Sequence, residues 1–425
     1  MRLLLISLDA VCAADAATLL SLPHLGDLAR RGVFCDQVRT IYPTLTYPIH
    51  ASIITGCYPE RHGILHNELF MPRRPPGRRP WYWEARHIQA DTLHQAAARA
   101  GREVASILWP TTGKHRGIRY NFPEALALPG ESQVLKMLRQ GSAAWILKNE
   151  ILYGRTRPSI KQPHLDRYAT LLLEKLIGKH YYPGMKVGAA GDVEPSARRK
   201  RQHMPDMMTI HLVDCDAARH AHGTDSPEAG AALIRLDEAV GRLLAALENV
   251  RALDQTIVAV VSDHGHEDVR GILALDEWLV VQGIPARAQT LGFGAYILCE
   301  RSRRSHIETL LNEHKADLKL RHVYSRRELR DLRLGDGVDL AVEAEHGVEI
   351  VDTLDQRPSC ATHGFGLDRP AAKVLMWLAG PPFREGVRLE AAEVVDIAPT
   401  LAKAAGLYLR DAQGRVLSEA FAGVH

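Results

Sequence analysis

Residues 2–8 (RLLLISL) form a short, almost unbroken apolar run that stops at Asp9, the pattern of a strand buried on both faces of a parallel sheet. The same design recurs twice. Residues 207–213 (MMTIHLV) run into Asp214-Cys215-Asp216, and residues 256–262 (TIVAVVS) run into Asp263-His264. Amphipathic stretches at 91–100 and 226–247 read as helices, the second opening Ser226-Pro227-Glu228, an N-cap followed by proline at the first helical position. Strands alternating with helices predict an α/β fold, a doubly wound and mostly parallel sheet with helices on both faces. That sheet resumes at 373–378, and the chain closes with a helix at 394–405.

Three stretches break the rhythm. Residues 70–86 (FMPRRPPGRRPWYWEAR) carry too much Pro and Arg for regular structure and read as a surface loop. Residues 183–206, with Arg198-Arg199-Lys200-Arg201, read as a polar surface insertion, and each basic cluster reads as a solvated face. From 292 to 352, short strands (FGAYILC, VDLAVEA, GVEIV) surround a helix at 304–314, which predicts a small inserted α+β subdomain. The main domain is then 1–291 together with 353–425.

Composition narrows the function classes. In 425 residues, 53 Lys+Arg against 50 Asp+Glu leave a net charge of +3, so no global field recruits a nucleic-acid polymer or an anionic membrane. Six cysteines (12, 35, 57, 215, 299 and 360) lie scattered without CxxC pairs, which argues against a disulfide scaffold or thiolate zinc knuckle and fits a reducing compartment. Only a few apolar residues precede Asp9, too few for a signal-peptide core, and a cytoplasmic protein is expected.

In open α/β sheets the ligand crevice lies beyond the carboxyl ends of the strands, so Asp9, Asp216 and Asp263 should converge there. One such Asp is commonly a turn former; three, two of them with histidines attached, point to a site. Asp216 and His220 share one face of a helical turn, and Asp263-His264 sits where a strand gives way to a loop. Mixed carboxylate and imidazole is ligand chemistry for zinc, or less selectively manganese or iron. His50, His62, His66, His222 and His266 lie near these motifs and read as hydrogen-bonding residues outside the ligand set, while Cys215 should point into the core. Thr46-Tyr47-Pro48 before IHASIITG reads as a helix start with Gly56 at its end. A Thr46 hydroxyl there is either a cap or, beside cations, a nucleophile whose proton is easily lost.

Taken in order, LDA at 8–10, PTLTYPIHASIITGCYPERHGILHN at 43–67, DCDAARHAHG at 214–223, SDHGH at 262–266 and THGFG at 362–366 resemble the alkaline phosphatase superfamily, and within it the nucleotide pyrophosphatase/phosphodiesterase family. WPTT at 109–112 and DIAPTLAKAAG at 396–406 extend the likeness over nearly the whole chain. The resemblance implies two divalent metal ions, zinc or alternatively manganese. One would be held by Asp9, Thr46, Asp263 and His264, the other by Asp216, His220 and His363. It implies Thr46 as nucleophile, Asn67 as the donor to a non-bridging phosphoryl oxygen together with the Tyr47 backbone amide, and the Tyr47 ring as a surface that stacks on a substrate base. The implied activity is hydrolysis of a small phosphodiester or nucleotide pyrophosphate through a phosphothreonine, with no membrane or nucleic-acid partner and the oligomeric state left open.

Two hydrolase alternatives share such a site: cleavage of a carbon–phosphorus bond as in phosphonoacetate hydrolases, for which Lys114-His115 is the candidate carboxylate binder, and phosphomonoester hydrolysis or mutase chemistry, which needs a further cationic clamp. A metal- or nucleotide-binding protein without turnover is the non-enzyme reading. Dinucleotide binding fails, because Gly292-Phe293-Gly294 lacks a third glycine and precedes a strand.

Overall fold

The computed structural model describes residues 1–71, 74, 77–178, 185–187, 193–195 and 203–423. Most of the 183–206 insertion, including Arg198–Arg201, lies outside the described residues. The centre is a nine-stranded sheet. Eight strands run in the order Val387–Arg388, Gly32–Arg39, Lys373–Ala379, Thr256–Ser262, Arg2–Leu8, Met207–Leu212, Val104–Ile107, Tyr120–Phe122, and Ala392–Glu393 pairs beside Gly32–Arg39. All neighbours pair parallel except at Lys373–Ala379, which runs antiparallel to both strands it separates.

Alternation along each apolar run explains why no polar face was visible in the sequence. Leu4, Ile6 and Leu8 pack on one side with the helices Pro23–Arg30, His164–Gly178 and Pro227–Asn249, whereas Leu3 and Leu5 pack on the other with Thr46–Thr55, Leu93–Arg99 and Ile397–Ala405. Ser226 caps the long Pro227–Asn249 helix by accepting from Ala229 N, with Pro227 at the first position. Thr46–Thr55 ends at Gly56, whose φ of 70° is the left-handed conformation that glycine adopts without a Cβ penalty.

The inserted region is a four-stranded antiparallel sheet in the order Ala286–Thr290, Gly294–Cys299, Leu340–Ala344, Leu320–Tyr324, backed by the helices Leu275–Val281 and Arg304–Glu313. Its first strand lies upstream of residue 292, where the sequence pattern suggested the subdomain begins. Val348–Ile350 pairs instead with Gly271–Leu273. Gly292 has φ 103° and a Cβ there would sit 2.3 Å from the His363 carbonyl oxygen, and Gly364 has φ 83° with a would-be Cβ 1.7 Å from the Leu291 carbonyl oxygen, so both positions demand glycine. The two glycine-containing turns therefore interlock, with Phe293 N–H donating to His363 O at 2.9 Å. This close approach docks the inserted sheet onto the loop that carries His363. Among the described residues no helix is long and apolar enough to cross a membrane.

Candidate metal centre

Three adjacent strands, Thr256–Ser262, Arg2–Leu8 and Met207–Leu212, end side by side, with Leu8 in register with both Ser262 and Leu212. Asp9 and Asp263-His264 therefore emerge together. Asp214–His222 starts a helix directly after the third strand and sets Asp216 and His220 one turn apart, their Oδ1 and Nε2 at 3.4 Å. The start of that helix is fixed from behind by buried Asp166, whose Oδ2 accepts from Val213 N and Asp214 N at 2.7 and 2.9 Å.

Two donor clusters result. In the first, His264 Nε2 lies 3.3 Å from Asp263 Oδ2, 3.6 Å from Asp9 Oδ1 and 3.3 Å from Thr46 Oγ1. In the second, ligand-type atoms of Asp216, His220, His363 and His266 all lie within 4.8 Å of one another. Donors arranged tetrahedrally around zinc at ~2.0–2.2 Å are about 3.3–3.6 Å apart, so the separations in the first cluster match a shared cation. The hydrogen bonding agrees. Asp9 Oδ1, Asp263 Oδ2 and Asp216 Oδ1 are buried without a hydrogen-bond partner among the described residues. An orphaned carboxylate oxygen costs ~1–3 kcal/mol or more, so three converging on one crevice fit positive charge supplied from outside the chain. His220 and His363 each place Nδ1 2.8 Å from a backbone carbonyl, Ala361 O and Thr44 O, which holds the ring and turns Nε2 toward the cluster.

Burial sets the titration of the group. It raises Asp263 well above the ordinary carboxylate value, with Asp9 adding to the effect, and raises Asp9 to about 7, with Asp216 adding. Burial opposes ionisation of Asp216 too, yet the attraction of His220 wins and leaves it lowered. Burial, aided by neighbouring imidazoles, lowers His264 and His266 well below 6.5 and His363 to about 4, keeping these rings in the neutral form that ligates.

Thr46 is the first residue of Thr46–Thr55, with Leu45 as the N-cap, so its hydroxyl is not spent on capping. It faces the first cluster from the positive end of that helix. His50, one turn on, bonds Thr46 O and Ser7 Oγ at 2.8 Å each and braces the turn. Asn67 comes alongside, its Oδ1 accepting from Tyr47 N–H at 2.9 Å. That bond corrects one expectation: the Tyr47 amide is occupied by Asn67, and the Nδ2 of Asn67 is the donor left for a substrate oxygen.

The structure corrects three others. Tyr47 is fully buried, its hydroxyl donating to Glu124 O at 3.1 Å and its ring edge-on to Trp81 at 5.3 Å, so it offers no open face for stacking. Trp81 covers it because the segment after Asn67 folds back, Tyr82 N–H donating to Asn67 O. The same fold-back overturns the reading of 70–86 as wholly solvated: Arg79 is buried between Glu68 and Asp352, 3.5 Å from each, and Trp83 is buried. His266, expected outside the ligand set, lies in the second cluster. His62 and His66, by contrast, do make hydrogen bonds, to Ser52 and to Thr290 O. Cys215 is buried as expected, and Lys114 is ion-paired with Glu84 at 2.6 Å.

His211 escaped the sequence reading. It bridges Asp9 Oδ2 at 3.0 Å and Glu124 Oε2 at 3.2 Å. Burial opposes its charge, but the two carboxylates prevail and raise it well above 6.5, which favours the charged ring behind Asp9. A histidine inside the otherwise apolar run MMTIHLV was the one signal available.

The sequence model of the family described as "Type I phosphodiesterase / nucleotide pyrophosphatase" matches residues 3–365. Ectonucleotide pyrophosphatase/phosphodiesterase family member 1 of Rattus norvegicus is 26% identical over 260 residues, 58% of this chain and 22% of its own length. Venom phosphodiesterase 2 of Crotalus adamanteus is 24% identical over 256 residues, 58% of this chain and 24% of its own. The chain thus spans under a quarter of the length of these curated relatives. Among solved structures, murine ectonucleotide pyrophosphatase/phosphodiesterase 5, an inactive variant in complex with AMP, superposes with a TM-score of 0.71 at 18% identity, covering 99% of this chain and 100% of that one. The human counterpart gives 0.70 at 18%, covering 97% of each. At this identity the likeness is one of fold.

Proposed function

The chain belongs to the type I phosphodiesterase / nucleotide pyrophosphatase family, and from that premise we propose that it hydrolyses phosphodiester or pyrophosphate bonds of small nucleotide-type substrates through a phosphothreonine intermediate. The observation that carries the reading is Thr46 Oγ1 beside the first donor cluster, with orphaned carboxylate oxygens in both. Asp9, Thr46, Asp263 and His264 would hold one divalent cation and Asp216, His220 and His363 the other, with zinc favoured by the mixed imidazole and carboxylate donors. When bound, such ions supply the positive charge that eases loss of the hydroxyl proton and neutralises the leaving oxygen.

The chain's own groups do the rest. Thr46 Oγ1 forms a bond to phosphorus as the bond from phosphorus to the ester or anhydride oxygen breaks, and the leaving group departs with that oxygen. Water then attacks the same phosphorus and restores the threonine hydroxyl. Asn67 Nδ2 donates to an equatorial oxygen as charge builds, from an amide plane held by the Tyr47 N–H. His211 holds Asp9 in place from behind. A diester carries one negative charge, which suits a site with a neutral amide donor better than a dianionic monoester would. Trp81, half-buried against Tyr47, replaces Tyr47 as the aromatic group for a base to meet. A cytoplasmic setting belongs to the same proposal, supported by six unpaired cysteines.

The test is a panel of para-nitrophenyl esters: thymidine monophosphate, phenylphosphonate, phosphate and sulfate, with phosphonoacetate beside them. The diester should be turned over fastest, and acid quenching should trap on Thr46 the phosphoryl group with the ester substituent it retains after the nitrophenol has left. Preference for the monoester, or action on phosphonoacetate alone, would overturn the proposal, as would a Thr46→Ala variant that keeps most of its rate.

A further inference from the structure

We propose that His266 is a fourth protein ligand of the second cation, which Asp216, His220, His363 and His266 would hold together. The inference rests on the two-metal reading above and extends it to a residue that reading does not use.

The side chain of His266 is fully buried, and among the described residues neither Nδ1 nor Nε2 has a hydrogen-bond partner. A buried imidazole left unsatisfied at both nitrogens is costly, so something must meet it. Its Nε2 stands 3.4 Å from Asp216 Oδ1, the same separation as His220 Nε2 from that oxygen. A hydrogen-bonded imidazole and carboxylate would close to ~2.7–2.9 Å, and Asp216 Oδ1 bonds neither ring. Two nitrogens near one oxygen, each at about the edge length of a zinc tetrahedron and neither donating to it, is the pattern of ligands aimed at a common centre. The rings agree. His266 lies edge-on to His220 (4.5 Å, 89°) and to His363 (5.2 Å, 79°), so the imidazoles approach from different directions.

Position in the chain explains the reach. The strand Thr256–Ser262 delivers Asp263 and His264 to the first cluster, and His266, two residues on, reaches the second, with Gly265 between them fitting where no side chain would. A Cβ at Gly265 would press against Cys12 Sγ at 2.8 Å and the Ala371 carbonyl at 3.0 Å. One tetrapeptide, Asp263-His264-Gly265-His266, then contributes to both metals.

The two centres differ accordingly. Three imidazoles and one carboxylate would make the second centre nitrogen-rich, which favours zinc over manganese. The first, with two carboxylates, one imidazole and the Thr46 oxygen, is more tolerant of manganese.

Zinc-edge X-ray absorption of the fully loaded wild-type chain, together with competition against a chromophoric zinc chelator, decides the matter. The expected spectrum averages about two imidazoles per zinc; without His266 the average would be about 1.5. His266→Ala should weaken one site on the order of 100-fold or more and leave the other unchanged. A wild-type average near 1.5, or a His266→Ala protein with both affinities intact, overturns the proposal; weakened binding with the lower average would make His266 a support for Asp216 rather than a ligand. Should the variant fail to fold, the wild-type spectrum still decides. Failure of wild type to bind two zinc ions would instead overturn the two-metal reading itself.

Discussion

In the proposed mechanism Asn67 performs two tasks, which a pair of substitutions separates. Its Oδ1 accepts the Tyr47 N–H at 2.9 Å, and Tyr47 is buried at the second position of Thr46–Thr55, where an amide has no partner within the helix. Its Nδ2 is the donor assigned to the transition state. Asn67→Ala removes both. The orphaned amide should cost ~1–3 kcal/mol of folding stability, and the lost donor about 3 kcal/mol of transition-state stabilisation, which is 10²–10³ in turnover. Asn67→Asp keeps the acceptor, now charge-assisted near the positive end of a helix, so stability should stay within ~0.5 kcal/mol of wild type. It removes the donor and sets an anion against the phosphoryl group, so turnover should fall at least as far as in the alanine variant. Urea unfolding at fixed metal loading reads the first effect, and kcat on para-nitrophenyl thymidine monophosphate reads the second. An aspartate variant with wild-type kcat, or an alanine variant that is destabilised yet fully active, would reduce Asn67 to a helix cap.

Two further outcomes follow from buried charge. Burial and Asp216 raise Asp9 from 3.8 to about 7, so in the metal-free chain it keeps its proton up to near neutrality. At Asp9 the folded state then holds a proton that the unfolded one has lost, so Asp9's own contribution to metal-free stability falls as pH rises from 4 to 7, against the opposite slope of His264, His266 and His363, which burial keeps neutral. Zinc binding at pH 6 should release protons and tighten up to about pH 7; calorimetry in buffers of different ionisation enthalpy measures this, and zinc binding with no proton release would contradict it. Arg369 is buried, bonded to Glu343 at 2.7 Å, Glu267 at 2.5 Å and the Ala344 carbonyl at 2.9 Å, and it ties the inserted sheet to the turn after His363. Arg369→Met should lose about 3 kcal/mol in urea unfolding, the low end for a broken buried pair because Tyr324 and Arg321 still bond Glu343, and Glu343→Gln added to it should recover part of that loss. A change below ~1 kcal/mol would mean that the network contributes no net stability.

The sequence by itself determined which segments are central strands and where each ends in chemistry. An apolar run that stops at an aspartate is local information, and parallel strands bury both faces, so RLLLISL, MMTIHLV and TIVAVVS could be read without knowing their neighbours. Proline and glycine likewise marked the ends of 46–55 and the start of the long helix. Tertiary structure decided what depends on partners far along the chain. Period-2 alternation says which face a residue occupies and nothing about the direction of the next strand, so the reversal at Lys373–Ala379 was hidden. The strands ARAQT and LRHVY carry polar residues because their sheet is solvated in part, and they left no apolar run to find. His211 meets Asp9 across 202 residues of sequence, and His266 meets His363 through a turn built by Gly292 and Gly364. Whether an imidazole ends in a hydrogen bond, as His62 and His66 do, or in a cluster of bare donors, as His266 does, is settled by which groups those long-range contacts bring within ångströms of its nitrogens.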